Sequence, residues 1–153
     1  FVIGNTPLND SYTIYSSQFR LAPQQPSNLV IAKPERNVYL EGEQMVALIT
    51  NDTPQPIWTT DHKTFCSIIN VQKLETNTWT NYAPCLLTTP TKQVRLAARE
   101  ELAIKLPNEN ASPKLSAGTY RLEFVYWTTD AGGNPTGNPM TVYSSTFNII
   151  AKE

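Results

Sequence analysis

Leu115-Ser-Ala-Gly-Thr-Tyr-Arg-Leu-Glu-Phe-Val-Tyr-Trp127 sets Tyr120, Leu122, Phe124 and Tyr126 on one side of an extended chain and Arg121, Glu123 and Val125 on the other. Strand side chains alternate with a period of two, so this is the pattern of a half-buried β-strand. A second run, Thr141-Val-Tyr-Ser-Ser-Thr-Phe-Asn-Ile-Ile150, puts Tyr143, Phe147 and Ile149 on a common side. The two are expected to pair as an antiparallel hairpin. Residues 128–139 between them hold three Gly and two Pro, which suit a long loop and continue neither strand.

Upstream of this hairpin the same alternation recurs in short pieces. Residues 28–32 read as a strand that breaks at Pro34 and resumes at 38–40, as an edge strand tolerates. Residues 44–50 oppose Met45, Ala47 and Ile49 to Val46 and Leu48, both sides apolar, and so make the best candidate for a central strand. Residues 64–74 read as one strand with Phe65, Ser67, Ile69 and Val71 on a shared side, returning through a turn at 75–78 into 79–82. Residues 93–105 are ambiguous, because Leu96-Ala-Ala-Arg has helix-forming composition. The alternation resolves them into a loop up to Arg99 and a strand over 101–106. Seven or eight short strands with polar turns predict an all-β, Greek-key β-sandwich of immunoglobulin type.

Residues 1–27 differ from the rest. Their apolar residues lie in short extended patches ending in the stiff polar segment Ala22-Pro-Gln-Gln-Pro-Ser27, so the chain divides into an N-terminal arm over 1–27 and a sandwich domain over 28–153. One account of the arm is a flexible or edge-packed leader left from a larger protein or from the anchor region behind a signal peptide. The sharper account uses Tyr12, Ile14, Tyr15, Phe19 and Leu21 as bulky contacts on another subunit, an added strand that repeated head to tail would build a filament.

Size and charge exclude several classes. The 153 residues suffice for one core, and a net charge of −1 with 16% charged residues supplies no basic surplus for nucleic acid. No apolar run is long enough for a membrane-spanning helix. The chain begins at Phe1, which fits signal-peptide removal and fits an excised domain equally. Cys66 and Cys85 flank a turn, and a disulfide between them is the favoured reading over two free thiols. A disulfide implies an oxidising compartment, hence a secreted or cell-surface protein. The sequons at Asn9, Asn51 and Asn110 permit surface glycosylation without implying it.

The order Tyr39-Leu-Glu-Gly-Glu43, the strand 46–51, Val71-Gln-Lys-Leu-Glu75 ahead of Trp79, Leu115-Ser-Ala-Gly-Thr-Tyr-Arg-Leu122 and Ser145-Thr-Phe-Asn-Ile149 resembles bacterial-type immunoglobulin-like surface domains over residues 28–151. The resemblance implies a corner-tyrosine role for Tyr120. It also implies a class of extracellular work, adhesive or structural, with no site attached. Neither cysteine stands where the antibody-type disulfide would be.

Groups for catalysis do not converge in the sequence. His62 is the single histidine and its neighbour Asp61 points away from it in an extended chain; Glu100 and Glu101 face opposite sides of a strand. Two Cys and one His fall short of a zinc site, and Asp130-Ala-Gly-Gly-Asn134 reads as a turn with too few oxygens for calcium. The expected function is therefore a non-enzymatic structural or adhesive surface protein without cofactors, its partners other copies of itself or a cell-surface protein. Two alternatives keep it a monomer. Trp58, Trp79, Trp127 and the seven Tyr could stack on sugar rings of a glycan, or the loops 51–63 and 128–139 could be presented to a proteinase.

Overall fold

The computed structural model describes residues 29–106 and 114–153. They form eleven strands: β1 (Val30–Pro34), β2 (Val38–Leu40), β3 (Met45–Asn51), β4 (Ile57–Thr60), β5 (Asn70–Glu75), β6 (Thr78–Asn81), β7 (Gln93–Leu96), β8 (Glu100–Leu106), β9 (Gly118–Thr129), β10 (Pro135–Tyr143) and β11 (Phe147–Ile150). One sheet runs β1-β3-β8, so the run expected to be central is central. The other has eight strands along the path β2-β11-β9-β4-β7, with β10 and β5 also on β9 and β6 on β5. The protein is an all-β sandwich.

The long strand β9 is the spine of the larger sheet. β10 and β11 follow one another along one edge of it, Tyr143 opposite Glu123 and Phe147 opposite Tyr120. β5 and β4 share the other edge, Val71 opposite Leu122 and Trp58 opposite Trp127. Broken runs of this kind explain why eleven strands stand where seven or eight are expected.

The alternation of 120–126 and 45–49 places the core as read, whereas Tyr143 leaves the side it was expected to share with Phe147 and Ile149, because the run breaks at residues 144–146 between β10 and β11. Tyr120, Leu122 and Phe124 of β9 are wholly buried, and they meet Met45, Ala47 and Ile49 of β3 across the sandwich in one cluster. Each large apolar side chain so buried contributes roughly 1.5–3 kcal/mol. Rings run through one end of it: Tyr39 edge-on to Phe147, Phe147 stacked on Tyr120, then Tyr82 and Phe65. The Tyr120 hydroxyl donates to the Ser116 carbonyl at 2.7 Å, tying the strand entry to the preceding loop as a corner tyrosine does. Gly118 has φ +154, and a Cβ there would lie 2.7 Å from Lys73 Cε. The close approach lets Lys73 reach the Ser116 hydroxyl at 2.8 Å.

Four local expectations are corrected. Pro34 does more than interrupt an edge, for the chain changes sheets between β1 and β2. Residues 64–69 are not strand. Thr64–Cys66 is a 3₁₀ turn with Phe65 and Cys66 at positive φ, and Ile68 and Ile69 are buried in succession, off the alternation expected. Two interactions set this geometry, the Thr64 hydroxyl accepting from the Val71 amide at 2.8 Å and the Phe65 amide donating to Ala83. The loop before Arg99 is also shorter than expected, because β7 pairs with β4 and turns at a left-handed Arg99 into β8. Finally, residues 128–139 are mostly strand. The turn is only residues 130–134, Pro135 opens β10, and Pro139 sits in an irregularity of the register between Thr136 and Met140.

Candidate functional site

Side chains that leave the core on β4, β5, β6, β9 and β10 share the outer face of the larger sheet, because partners across an antiparallel pair lie on the same side. The register Trp58↔Trp127, Leu74↔Trp79 and Tyr143↔Glu123 brings every tryptophan of the chain and Tyr143 onto that face. Trp58, Trp79 and Trp127 are half-buried and Tyr143 is exposed. The sequence places Trp79 and Trp127 in strand patterns, where core packing is the ordinary outcome. The structure puts them outside the core.

At one end of this face a cleft of about 280 Å³ opens beside Trp58 and Trp127, walled by Thr60, Gln93, Thr136 and Gly137. Its size is at the small end of ligand clefts, about 300–1,000 Å³. The Trp58 indole donates to the Gly133 carbonyl at 2.9 Å, which fixes its ring against the β9–β10 turn. Asp130 builds that turn by accepting from the Gly132 and Asn134 amides, both at 2.9 Å. The Asn134 amide above all, helped by Gly132 and Gly133, holds the Asp130 carboxyl below the usual carboxylate range. The Trp127 indole N–H has no partner among the described residues.

Farther along the face, Arg121 lies between two rings, its guanidinium carbon 4.5 Å from the Trp79 centroid and 4.1 Å from the Tyr143 centroid. Its Nε donates to Gln72 Oε1 at 2.8 Å, and the buried Gln72 in turn donates to Asn81. Glu123 accepts from the Asn70 amide at 2.6 Å and from the Tyr143 hydroxyl at 3.2 Å. A second cleft, about 270 Å³, lies between the β3–β4 loop and the larger sheet, against Ile57, Tyr126 and Met140. Burial there raises the Tyr126 phenol above its ordinary range.

The disulfide is present between Cys66 and Cys85. It holds an irregular segment after β6 in which Leu86 and Leu87 are 88% and 60% exposed. The reading of Asp61 and His62 as diverging neighbours is corrected. His62 has φ 65, so its chain is not extended, and Nδ1 lies 3.2 Å from Asp61 Oδ1 and 3.0 Å from Thr91 Oγ1, with Nε2 3.3 Å from Thr89 Oγ1. The order carboxylate, imidazole, hydroxyl looks triad-like. Neither cleft borders it, and Asp61 also accepts from the Lys92 amide, so the cluster works as a clip between two loops. Glu100 and Glu101 diverge as expected, one accepting from the Ala97 amide and the other from the Thr50 hydroxyl. Among the described residues no group of three or more His, Cys, Asp or Glu is placed to hold a metal ion, and no helix is long and apolar enough to cross a membrane.

Asn51 is corrected as a glycan acceptor. The residue is fully buried, and the nitrogen that would carry the sugar donates to the Gln55 and Ala97 carbonyls at 2.9 and 2.8 Å while Oδ1 accepts from Thr53. It is a structural bracket between loops. Asn9, Asn110 and the arm residues Tyr12, Ile14, Tyr15, Phe19 and Leu21 lie outside the described residues. Set against known proteins, the chain matches no family model, no curated sequence and no solved structure.

Proposed function

We propose that this chain is a non-enzymatic, secreted or cell-surface adhesive module of immunoglobulin-like type, and that it binds a glycan through the outer face of its larger sheet. The observation that carries the reading is the gathering of Trp58, Trp79, Trp127 and Tyr143 on that one face, with a ring-sized cleft beside two of the indoles. Aromatic faces stack on the C–H faces of sugar rings, and Thr60, Gln93 and Thr136 offer hydroxyl and amide partners to sugar hydroxyls. The disulfide fits an extracellular address.

The strand-exchange filament is a weaker version of the same adhesive role. Two edges that have no further strand among the described residues carry devices that discourage an added one: β8 displays Glu100, Glu101 and Lys105, and β10 carries Pro135, Pro139 and its register irregularity. The test is a glycan array on the intact chain, followed by calorimetry of W58A and W127A. Binding that both variants lose while still unfolding cooperatively in urea, with a smaller stability loss than a core substitution gives, supports the glycan face. Large oligomers that vanish when residues 1–24 are deleted, with no glycan bound, overturn it in favour of the arm.

A further inference from the structure

We infer that Arg121 is a carboxylate-binding subsite of this face, so that the ligand is an acidic oligosaccharide carrying uronic-acid groups; this rests on the glycan reading above. The guanidinium is held between Trp79 and Tyr143, its carbon 4.5 and 4.1 Å from their centroids, and the bond from Nε to Gln72 fixes one edge of it. That leaves the two terminal nitrogens, the fork that matches a carboxylate bidentately, with no protein partner among the described residues. The neighbouring carboxylate does not take the fork, for Glu123 is engaged by Asn70 and Tyr143 instead. A lysine would not replace this group, because an ammonium has neither the flat face that stacks nor the fork.

The subsite and the cleft belong to one track. Arg121 and Trp127 both point outward from β9, six residues apart, a span of roughly 20 Å at the rise of a strand. A linear chain lying along β9 would stack a ring in the cleft and present a carboxylate at Arg121.

The test titrates the intact chain with hexagalacturonate and with its methyl ester, which keeps the backbone and removes the charge. The acid is expected to bind about tenfold or more tightly, the worth of a charge-assisted pair. R121Q and R121K should each erase that preference, read as the ratio of acid to ester affinity in variants that still unfold cooperatively in urea. In side-chain NMR the acid, and not the ester, should shift the Arg121 Nε–H and the Trp79 indole N–H. Equal affinities for acid and ester overturn the subsite alone, as does a preference that survives in R121Q. Failure of both oligomers to bind overturns the uronic-acid subsite, while the glycan array alone decides the glycan face.

Discussion

The two sheets present very different outer faces. On the three-stranded sheet the outward residues are Ile31, Lys33, Val46, Leu48, Thr50, Glu101, Ala103 and Lys105, aliphatic and charged, tied at one point by the Thr50 hydroxyl donating to Glu101. On the eight-stranded sheet they include all three tryptophans, Tyr143 and a stacked arginine. Both sheets obey the same rule inside, apolar toward the shared core. Core requirements therefore cannot explain the aromatic surface of one sheet, since the other folds without it. A difference that folding does not demand is where function is sought.

The comparison breaks most directly if an inner and an outer ring prove interchangeable. Phe124→Ala, a wholly buried ring, is expected to cost about 3–5 kcal/mol of stability in urea unfolding. Trp127→Ala on the same strand should cost less than half of that and instead remove about 2 kcal/mol of ligand binding. Equal stability losses would make Trp127 a core residue and undo the contrast. Reducing the disulfide closes the next gap, because a loop of sequence separation 19 predicts a loss of about 3 kcal/mol, read as the urea midpoint with and without reductant. Ligand affinity should survive reduction in the folded protein, since the bridge lies away from the tryptophan cleft's walls.

Gly118→Ala should cost about 1 kcal/mol, from the positive φ and the crowding against Lys73, again with affinity unchanged. A smaller effect belongs to the turn. The Asp130 carboxyl has its pKa depressed in the folded protein, so its contribution is present above its unfolded value near 3.8 and is lost as the pH falls through the lower folded value. The Trp58 indole N–H resonance, bonded to Gly133, should move over that acid range in the wild type and not in D130N. His62→Ala, at the loop clip, is expected to change stability by under about 0.5 kcal/mol; loss of an ester-hydrolysing activity in that variant would reopen the triad-like order.

Much of the inner architecture was legible because it rests on a local rule. Alternation in 120–126 and 45–49 names buried residues with no knowledge of their partners, and Cys66 and Cys85 come together because a hairpin lies between them. The failures share a cause too. Residues 64–69 alternate like a strand, but the Thr64 hydroxyl and the Phe65 amide have better partners in Val71 and Ala83, which lie elsewhere in the chain. The switch of sheets at Pro34 and the pairing of β7 with β4 depend equally on distant strands. The candidate site was the least legible of all. Trp58, Trp79 and Trp127 were singled out as residues, yet their common face exists only once the registers of β4, β6 and β9 are fixed. His62 misled for a local reason, a left-handed backbone at a residue that gives no sign of it.

One pairing bears on what the proposed adhesive module would have to withstand. β2 runs parallel to β11, with Val38, Tyr39 and Leu40 beside Asn148, Ile149 and Ile150. When the chain is pulled from both sides of the domain, parallel neighbours slide past each other, and their hydrogen bonds bear the load together, whereas a hairpin opens one bond at a time. A small clamp of this kind, backed by Tyr39 and Phe147 packed edge to face beneath it, would resist tension along the chain in shear.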